Sequence, residues 1–252
     1  MYVTFIIGTA GSGKSLLTAA FSEWLRSKEQ NVCLVNLDPS VMSLPYEPDV
    51  DVRDYIIIED LMEKYQLGPN GALIMAADLL AAEVDKIRTD IEYFRSDIVV
   101  IDTPGQMELF AFRSSGPYIA HNLTNDPRSI IYLFDATFSS NPLNFVSNLF
   151  LAAAAFNRFL LPQVHVLSKV DLLPSEQVDA ILDWSEDEEY LQTAIETQLT
   201  AQKMLLSRGV FQAIRSVGLT FELIPVSAKT QSGLIDLYSA LTRIFTGGEE
   251  LI

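Results

Sequence analysis

Eight residues near the start of the chain, Gly8-Thr9-Ala10-Gly11-Ser12-Gly13-Lys14-Ser15, complete the pattern G-x-x-x-x-G-K-[ST]. Small residues at Gly11, Ser12 and Gly13 let successive backbone N–H groups curl around a phosphate. A helix opening at Ser15 and Leu16 points its positive end at the same place. Lys14 is then set to bridge the β- and γ-phosphates of a nucleoside triphosphate, and the Ser15 hydroxyl to bind Mg²⁺. A purely structural glycine turn would not need an apolar strand before it and a helical pattern after it, and both are present.

Three further constellations follow in order. In Ile98-Val99-Val100-Ile101-Asp102-Thr103-Pro104-Gly105-Gln106, an aspartate ends an apolar strand, which suits a residue holding Mg²⁺ through water. Gly105 lets the backbone approach a γ-phosphate, so its N–H can sense that phosphate. In Val166-Leu167-Ser168-Lys169-Val170-Asp171, the aspartate can accept from N1–H and the exocyclic amine of guanine. Adenine presents no such donor pair, and a carboxylate left unpaired penalises it. The Lys169 stem can lie across the purine face. Ser168 stands where asparagine is usual and cannot make the same amide contacts. Finally, Ser227-Ala228-Lys229 resembles the S-A-K loop of GTPases, whose backbone N–H groups face guanine O6.

The elements that must position these residues are short apolar runs at 3–7, 32–36, 98–101, 130–135, 163–168 and 222–226. Most are nearly continuous in apolar character, the mark of parallel strands covered on both faces. Helical patterns at 15–27, 54–66, 72–89, 144–160, 193–207 and 233–245 alternate with them. The expected fold is α/β: a three-layer architecture with an open, mostly parallel twisted sheet, ligands binding at the carboxyl ends of its strands. Residues 41–51, with Pro45 and Pro48, read as an irregular crossover. Gly68-Pro69-Asn70-Gly71 reads as a tight turn. No repeat or long linker divides residues 1–252, so a single domain is expected.

Composition narrows the partners. Of 252 residues, 33 are acidic and 17 basic, a formal net charge of −16. Such a surface repels phosphate backbones and anionic lipid, so neither direct nucleic-acid binding nor membrane binding is expected. The run 145–161 is interrupted by Ser147, Asn148, Asn157 and Arg158 before it can span a bilayer. Cys33, the one cysteine, can form no internal disulfide and reads as a buried core thiol. With no signal-peptide pattern at the start, a reducing, cytoplasmic location is expected. The acidic stretch 183–190 reads as a solvated loop or helix start.

Asn36-Leu37-Asp38-Pro39, Asp51-Val52-Arg53-Asp54 and Gly68-Pro69-Asn70 are foreign to Ras-like GTPases. Together with Asp102-Thr103-Pro104-Gly105-Gln106-Met107-Glu108 they resemble the GPN-loop GTPase family, across about residues 2–245. The missing long C-terminal extension resembles its compact, archaeal-like members. That family tolerates serine at the position of Ser168. The resemblance implies a SIMIBI-class P-loop domain with a GPN-loop insertion at about 41–89. It implies GTP and GDP as substrate and product, Mg²⁺, and a homodimer in which Asn70 contacts the neighbouring γ-phosphate region. Gln106 and Glu108 match positions associated with the attacking water, and Asp38 the Mg²⁺ or water network.

Gln106 can orient water but cannot carry away a proton at neutral pH. Asp38 and Glu108 are therefore the candidate carboxylates for the proton. For Asp38, a cap or turn before Pro39 is the competing reading; for Arg53 and Arg113 it is an ion pair. The family's association with RNA polymerase assembly implies a protein partner in complex assembly. A nucleotide-gated assembly chaperone with negligible turnover is the alternative, separable by nucleotide-dependent pull-down. A small-molecule P-loop kinase would leave the guanine motifs unexplained. A metallochaperone would need clustered ligands that His121, His165 and Cys33 do not supply.

Overall fold

The computed structural model describes residues 1–196 and 221–246. Seven strands form one sheet in the order β3-β2-β4-β1-β5-β6-β7, and every pairing is parallel. They are β1 (Tyr2–Gly8), β2 (Val32–Asn36), β3 (Val50–Asp51), β4 (Ile98–Asp102), β5 (Arg128–Asp135), β6 (Gln163–Ser168) and β7 (Leu223–Val226). The expected α/β, three-layer class is the one observed, with no antiparallel strand pairing in the sheet among the described residues.

Both faces of the sheet are buried, and the pleat explains how. Successive strand side chains point to opposite faces. Val3, Phe5 and Ile7 of β1, with Val99 and Ile101 of β4, enter one core cluster. Ile6, Ile98 and Val100 enter the other. The second cluster is closed by Leu17, Phe21 and Leu25 of α1 (Lys14–Ser27) and by Leu234, Leu237 and Leu241 of α11 (Leu234–Phe245). The first is closed by α2 (Ile58–Tyr65), α3 (Pro69–Ala82), α4 (Val84–Tyr93), α5 (Met107–Phe110), α6 (Ser115–Asn122), α7 (Ala136–Ser139), α8 (Pro142–Phe159), α9 (Ser175–Glu186) and α10 (Glu188–Glu196). Each fully buried Leu, Ile or Phe is worth ~1.5–3 kcal/mol, so apolar runs dense enough to fill both faces drive this layering.

Two local expectations are corrected. Gly68-Pro69-Asn70-Gly71 is not a tight turn but the start of α3, with Gly68 extended at φ −74°, ψ 169°. Proline fits the first helical position, where its fixed φ is pre-set and its missing N–H would be unpaired anyway. The sharp break lies upstream, at Gln66, in a left-handed conformation at φ 53°. The expected helix over 72–89 is two helices parted at Glu83, whose N–H is shared between the Leu79 and Leu80 carbonyls. The acidic stretch straddles two helices, with the Asp187 carboxylate accepting from Glu189 N–H at 2.8 Å. Of the helix expected at 193–207, residues 193–196 belong to α10 and the rest lie outside the described residues.

Cys33 is fully buried, and burial pushes its thiol up to about 12, which leaves it unreactive at neutral pH. Asn148, Leu149, Ala152, Ala155 and Phe159 of α8 face the core. Among the described residues, no helix is long and apolar enough to cross a membrane.

Candidate functional site

Strand register alone brings the chemistry-bearing residues to one edge. Asn36 pairs with Asp102, Ile6 with Asp102, Gly8 with Leu133, and Asp135 with Ser168. The carboxyl ends of β2, β4, β1, β5 and β6 thus form a row on either side of β1, where the strand order reverses.

The loop leaving β1 curls as its glycines permit. Gly11 and Gly13 hold φ of 77° and 94°, which side-chain-bearing residues rarely adopt. Gly13 caps α1, whose first residue is Lys14. The buried Lys14 ammonium donates to the carbonyls of Gly8 (2.9 Å), Thr9 (3.0 Å) and Gly105 (3.0 Å). Burial lowers its pKa to about 8, while the fields of Asp102, Asp38 and Glu108 pull it back up. Three carboxylates of the candidate set therefore surround one lysine.

Asp102 is almost wholly buried. Burial pushes its carboxyl up to about 6, against the lowering effect of the Ser15 hydroxyl, Tyr46 and Lys14. Tyr46 donates to Oδ2 at 3.0 Å, and burial, with Asp102, raises the phenol so that it stays protonated. Oδ1 is buried and has no hydrogen-bond partner. A buried carboxylate oxygen without a partner is costly unless something else satisfies it.

Asp38 makes the turn offered as its competing role, Oδ1 accepting the Ser40 N–H across Pro39, and is held in a wider network as well. Asn36 accepts from Asp38 N–H at 2.9 Å and donates to its carbonyl at 3.1 Å. Asn36 also donates to Asp51 at 2.9 Å. Burial would raise the Asp51 carboxyl, but the Arg53 side chain, the Arg53 amide and Asn36 outweigh it and hold it low. Asp38 Oδ1 accepts from the Ser40 N–H (2.9 Å) and hydroxyl (2.6 Å), and Oδ2 accepts from Gly105 N–H at 2.9 Å. Arg53 and Arg113 both sit in ion pairs, with Asp51 and Asp78.

These donors suit Mg²⁺. Among the described residues no group of three or more metal-ligating side chains occurs, and Mg²⁺ at a triphosphate needs only one or two carboxylates besides phosphate oxygens. The Asp102 carboxylate, on which the Ser15 hydroxyl acts and whose Oδ1 has no partner, meets that requirement.

At the proposed base-reading end, the single Ser168 hydroxyl proton lies within reach of two carbonyls, that of Ser12 (2.8 Å) and that of Phe134 (3.1 Å). It thereby ties this strand end to the phosphate loop. Lys169 adopts φ 61°, an uncommon left-handed conformation for a residue with a side chain. Its ammonium contacts the Gly11 carbonyl and pairs with Asp135 at 2.7 Å. Ser227 donates to Asp171 Oδ1 at 2.6 Å and accepts from Thr230 N–H at 3.1 Å. Ala228 follows in the loop closed by the Ser227–Ser232 bridge.

Gln106, Glu108, Leu16 and Asn70 are exposed. Asn70 lies in the first turn of α3, and its side chain makes no hydrogen bond among the described residues. Two participants escaped sequence reading. Asp135 ends an apolar strand as Asp102 does, a signal that was there to use. Tyr46 lies in the proline-flanked crossover and carried none.

A family model described as a conserved hypothetical ATP binding protein matches residues 6–247. The GPN-loop GTPase of Pyrococcus abyssi is 33% identical over 245 residues, covering 94% of either chain. A crystal structure of a GTPase in apo form from that organism matches with a TM-score of 0.84 at 30% identity, covering 97% of each chain. A GPN-loop GTPase of Arabidopsis thaliana is 35% identical over 94% of this chain, and one of Saccharomyces cerevisiae is 33% identical over 86%. The match spans only 62% and 57% of those two relatives' own lengths. On motif order, strand register and this similarity together, the chain belongs to the GPN-loop GTPase family.

Proposed function

We propose that this chain binds GTP with Mg²⁺ and hydrolyses it to GDP and phosphate as a homodimer. The observation that carries the reading is Asp102, a buried carboxylate whose Oδ1 lacks a partner beside Lys14 and Ser15. Mg²⁺ held by Ser15 and Asp102, with Asp38 in the same network, would offset charge on the β- and γ-phosphates. Lys14 exchanges its three carbonyl acceptors for phosphate oxygens. The backbone N–H groups of residues 11–16 cradle the β-phosphate. Gly105 donates to the γ-phosphate. Gln106 orients the water, and Asp38 or Glu108 takes its proton. Asp171, braced by Ser227, reads the guanine edge while Lys169 and Ser168 tie the base site to the phosphate loop.

Exposure of Gln106, Glu108 and Asn70 in the single chain supports a dimeric site. Hydrolysis gains from excluding bulk water, and a second copy bringing its Asn70 toward the γ-phosphate would supply that cover. Loss of the γ-phosphate would release Gly105 and the partner's Asn70 together and relax the interface. Such a switch suits nucleotide-controlled assembly of a protein complex, the role that family membership suggests.

Phosphate release from GTP in Mg²⁺ buffer, compared between the native chain and Lys14→Ala, tests the core of this reading. The variant is expected to lose affinity for a non-hydrolysable GTP analogue by ~100-fold or more, about 3 kcal/mol. Equal affinity in the two proteins would sink the assignment.

A further inference from the structure

The crossover between Asp38 and β3 does more than connect strands. It is pinned at both ends: Arg53 Nη1 donates to the Val41 carbonyl at 3.1 Å, and Asp49 exchanges two bonds with the backbone of Leu34, at 2.8 and 2.7 Å. Arg26 adds an ion pair to Asp49 at 3.3 Å. Between these anchors lies Tyr46, between Pro45 and Pro48, its ring partly buried against the core cluster on the α1 face. Proline limits the backbone on either side, so the ring has few places to go. Its hydroxyl reaches Asp102 Oδ2, 56 residues away in sequence, at 3.0 Å.

That bond makes the two oxygens of Asp102 unequal. Oδ2 is occupied by a neutral donor from the chain, whereas Oδ1 is buried with no partner. A carboxylate on a two-fold χ2 torsion would otherwise exchange its oxygens. We propose that Tyr46 is a positioning residue for Mg²⁺: by engaging Oδ2, it fixes the Asp102 carboxylate and leaves Oδ1, the oxygen without a partner, for the metal. This inference rests on the magnesium-dependent reading above and adds a residue to it. Tyr46 itself touches neither metal nor nucleotide; it acts through Asp102.

Tyr46→Phe removes the hydroxyl and keeps the ring. The test is the affinity of a fluorescent, non-hydrolysable GTP analogue, titrated with Mg²⁺ from zero to millimolar. In the native chain, Mg²⁺ should tighten binding. In Tyr46→Phe, affinity without Mg²⁺ should stay within about twofold, while the Mg²⁺ concentration for half-maximal tightening rises ~5–10-fold, the size of one ordinary lost hydrogen bond. Tyr46→Leu, which also strips ring packing, should show the same Mg²⁺ shift with a lower melting temperature. An unchanged Mg²⁺ requirement in Tyr46→Phe overturns the proposal, as does an equal loss of affinity with and without Mg²⁺, which would mark a purely structural tyrosine. If native affinity is itself indifferent to Mg²⁺, the magnesium reading fails first, and that result is visible in the native titration alone.

Discussion

Asp38 Oδ2 accepts the Gly105 N–H at 2.9 Å, so a carboxylate oxygen occupies the donor expected to meet a γ-phosphate oxygen. Lys14 reinforces the arrangement by holding the Gly105 carbonyl at 3.0 Å. Both polar groups of Gly105 are thus held within the chain, its N–H by Asp38 and its carbonyl by Lys14. On the proposed reading, nucleotide entry would exchange both contacts and free Asp38 for metal or water.

This exchange separates binding from turnover. Asp38→Ala leaves the Gly105 amide open to phosphate. Affinity for a non-hydrolysable GTP analogue without Mg²⁺ should hold or tighten, by up to ~10-fold or about 1.4 kcal/mol. GTP turnover in Mg²⁺ should fall at least ~10-fold. Analogue titration and phosphate release measure the two effects. Weaker Mg²⁺-free binding would show that Asp38 assists the nucleotide rather than standing in for it.

The base site makes a chemical prediction that also addresses the family model's description as ATP binding. Asp171 accepts from Ser227 through Oδ1, leaving Oδ2 for a base. Guanine offers N–H donors there, whereas xanthine offers a carbonyl at the position of the exocyclic amine. Asp171→Asn should therefore shift preference from GTP toward XTP by ~10-fold or more. Ser227→Ala should narrow the preference for GTP over ATP by up to ~10-fold, because the carboxylate loses its brace. Competition binding against GTP, ATP and XTP reads both. A native chain that prefers ATP would remove the guanine assignment altogether.

Legibility in the sequence followed the range of the forces involved. Strands such as 98–101 and 130–134 announce themselves because burial on both faces leaves an unbroken apolar run, and the four motifs sit at the carboxyl ends of strands. Val50–Asp51 is too short to carry any period, so its strand was absorbed into the crossover. Gly68-Pro69 obeys two local rules at once, and the helix-start rule prevailed because α3 packs against α2 and α6. Glu83 interrupts a helix without glycine or proline, an event of tertiary packing. Tyr46 finds its partner 56 residues on, and nothing in the local pattern around it encodes that distance.

His165 sets part of the acid limit of stability. It is buried between the rings of Phe134 and Phe221, with Gln163 Nε2 at 2.9 Å from its Nε2. Burial lowers its pKa to about 4 from an ordinary 6.5. Between those values the unfolded chain binds a proton that the folded chain refuses. Stability from this group is therefore intact above pH 6.5 and lost as pH falls toward 4, by about 3 kcal/mol in all. His165→Gln should flatten that limb by one proton, measured by urea unfolding at a series of pH values. Parallel curves for the two proteins would assign the acid limb to other groups.

The last prediction concerns whether Asn70 works on its own site or on a neighbour's. It is exposed in the first turn of α3, and its side chain bonds to nothing among the described residues, so no task is visible for it among them. Asn70→Ala should slow turnover at least ~10-fold while leaving analogue affinity nearly unchanged, the pattern of an interaction made only in the transition state. Lys14→Ala should lose binding instead. Mixing the two variants discriminates the arrangements. A heterodimer joins the intact phosphate loop of Asn70→Ala to the intact Asn70 of Lys14→Ala, so one of its two sites is complete. Activity of the mixture should then exceed the sum of the separate proteins and approach a quarter of the native rate, about the statistical share of such sites if subunits exchange freely. An activity equal to that sum, with subunit exchange verified by mass or by fluorescence transfer, would place Asn70 in its own chain's site.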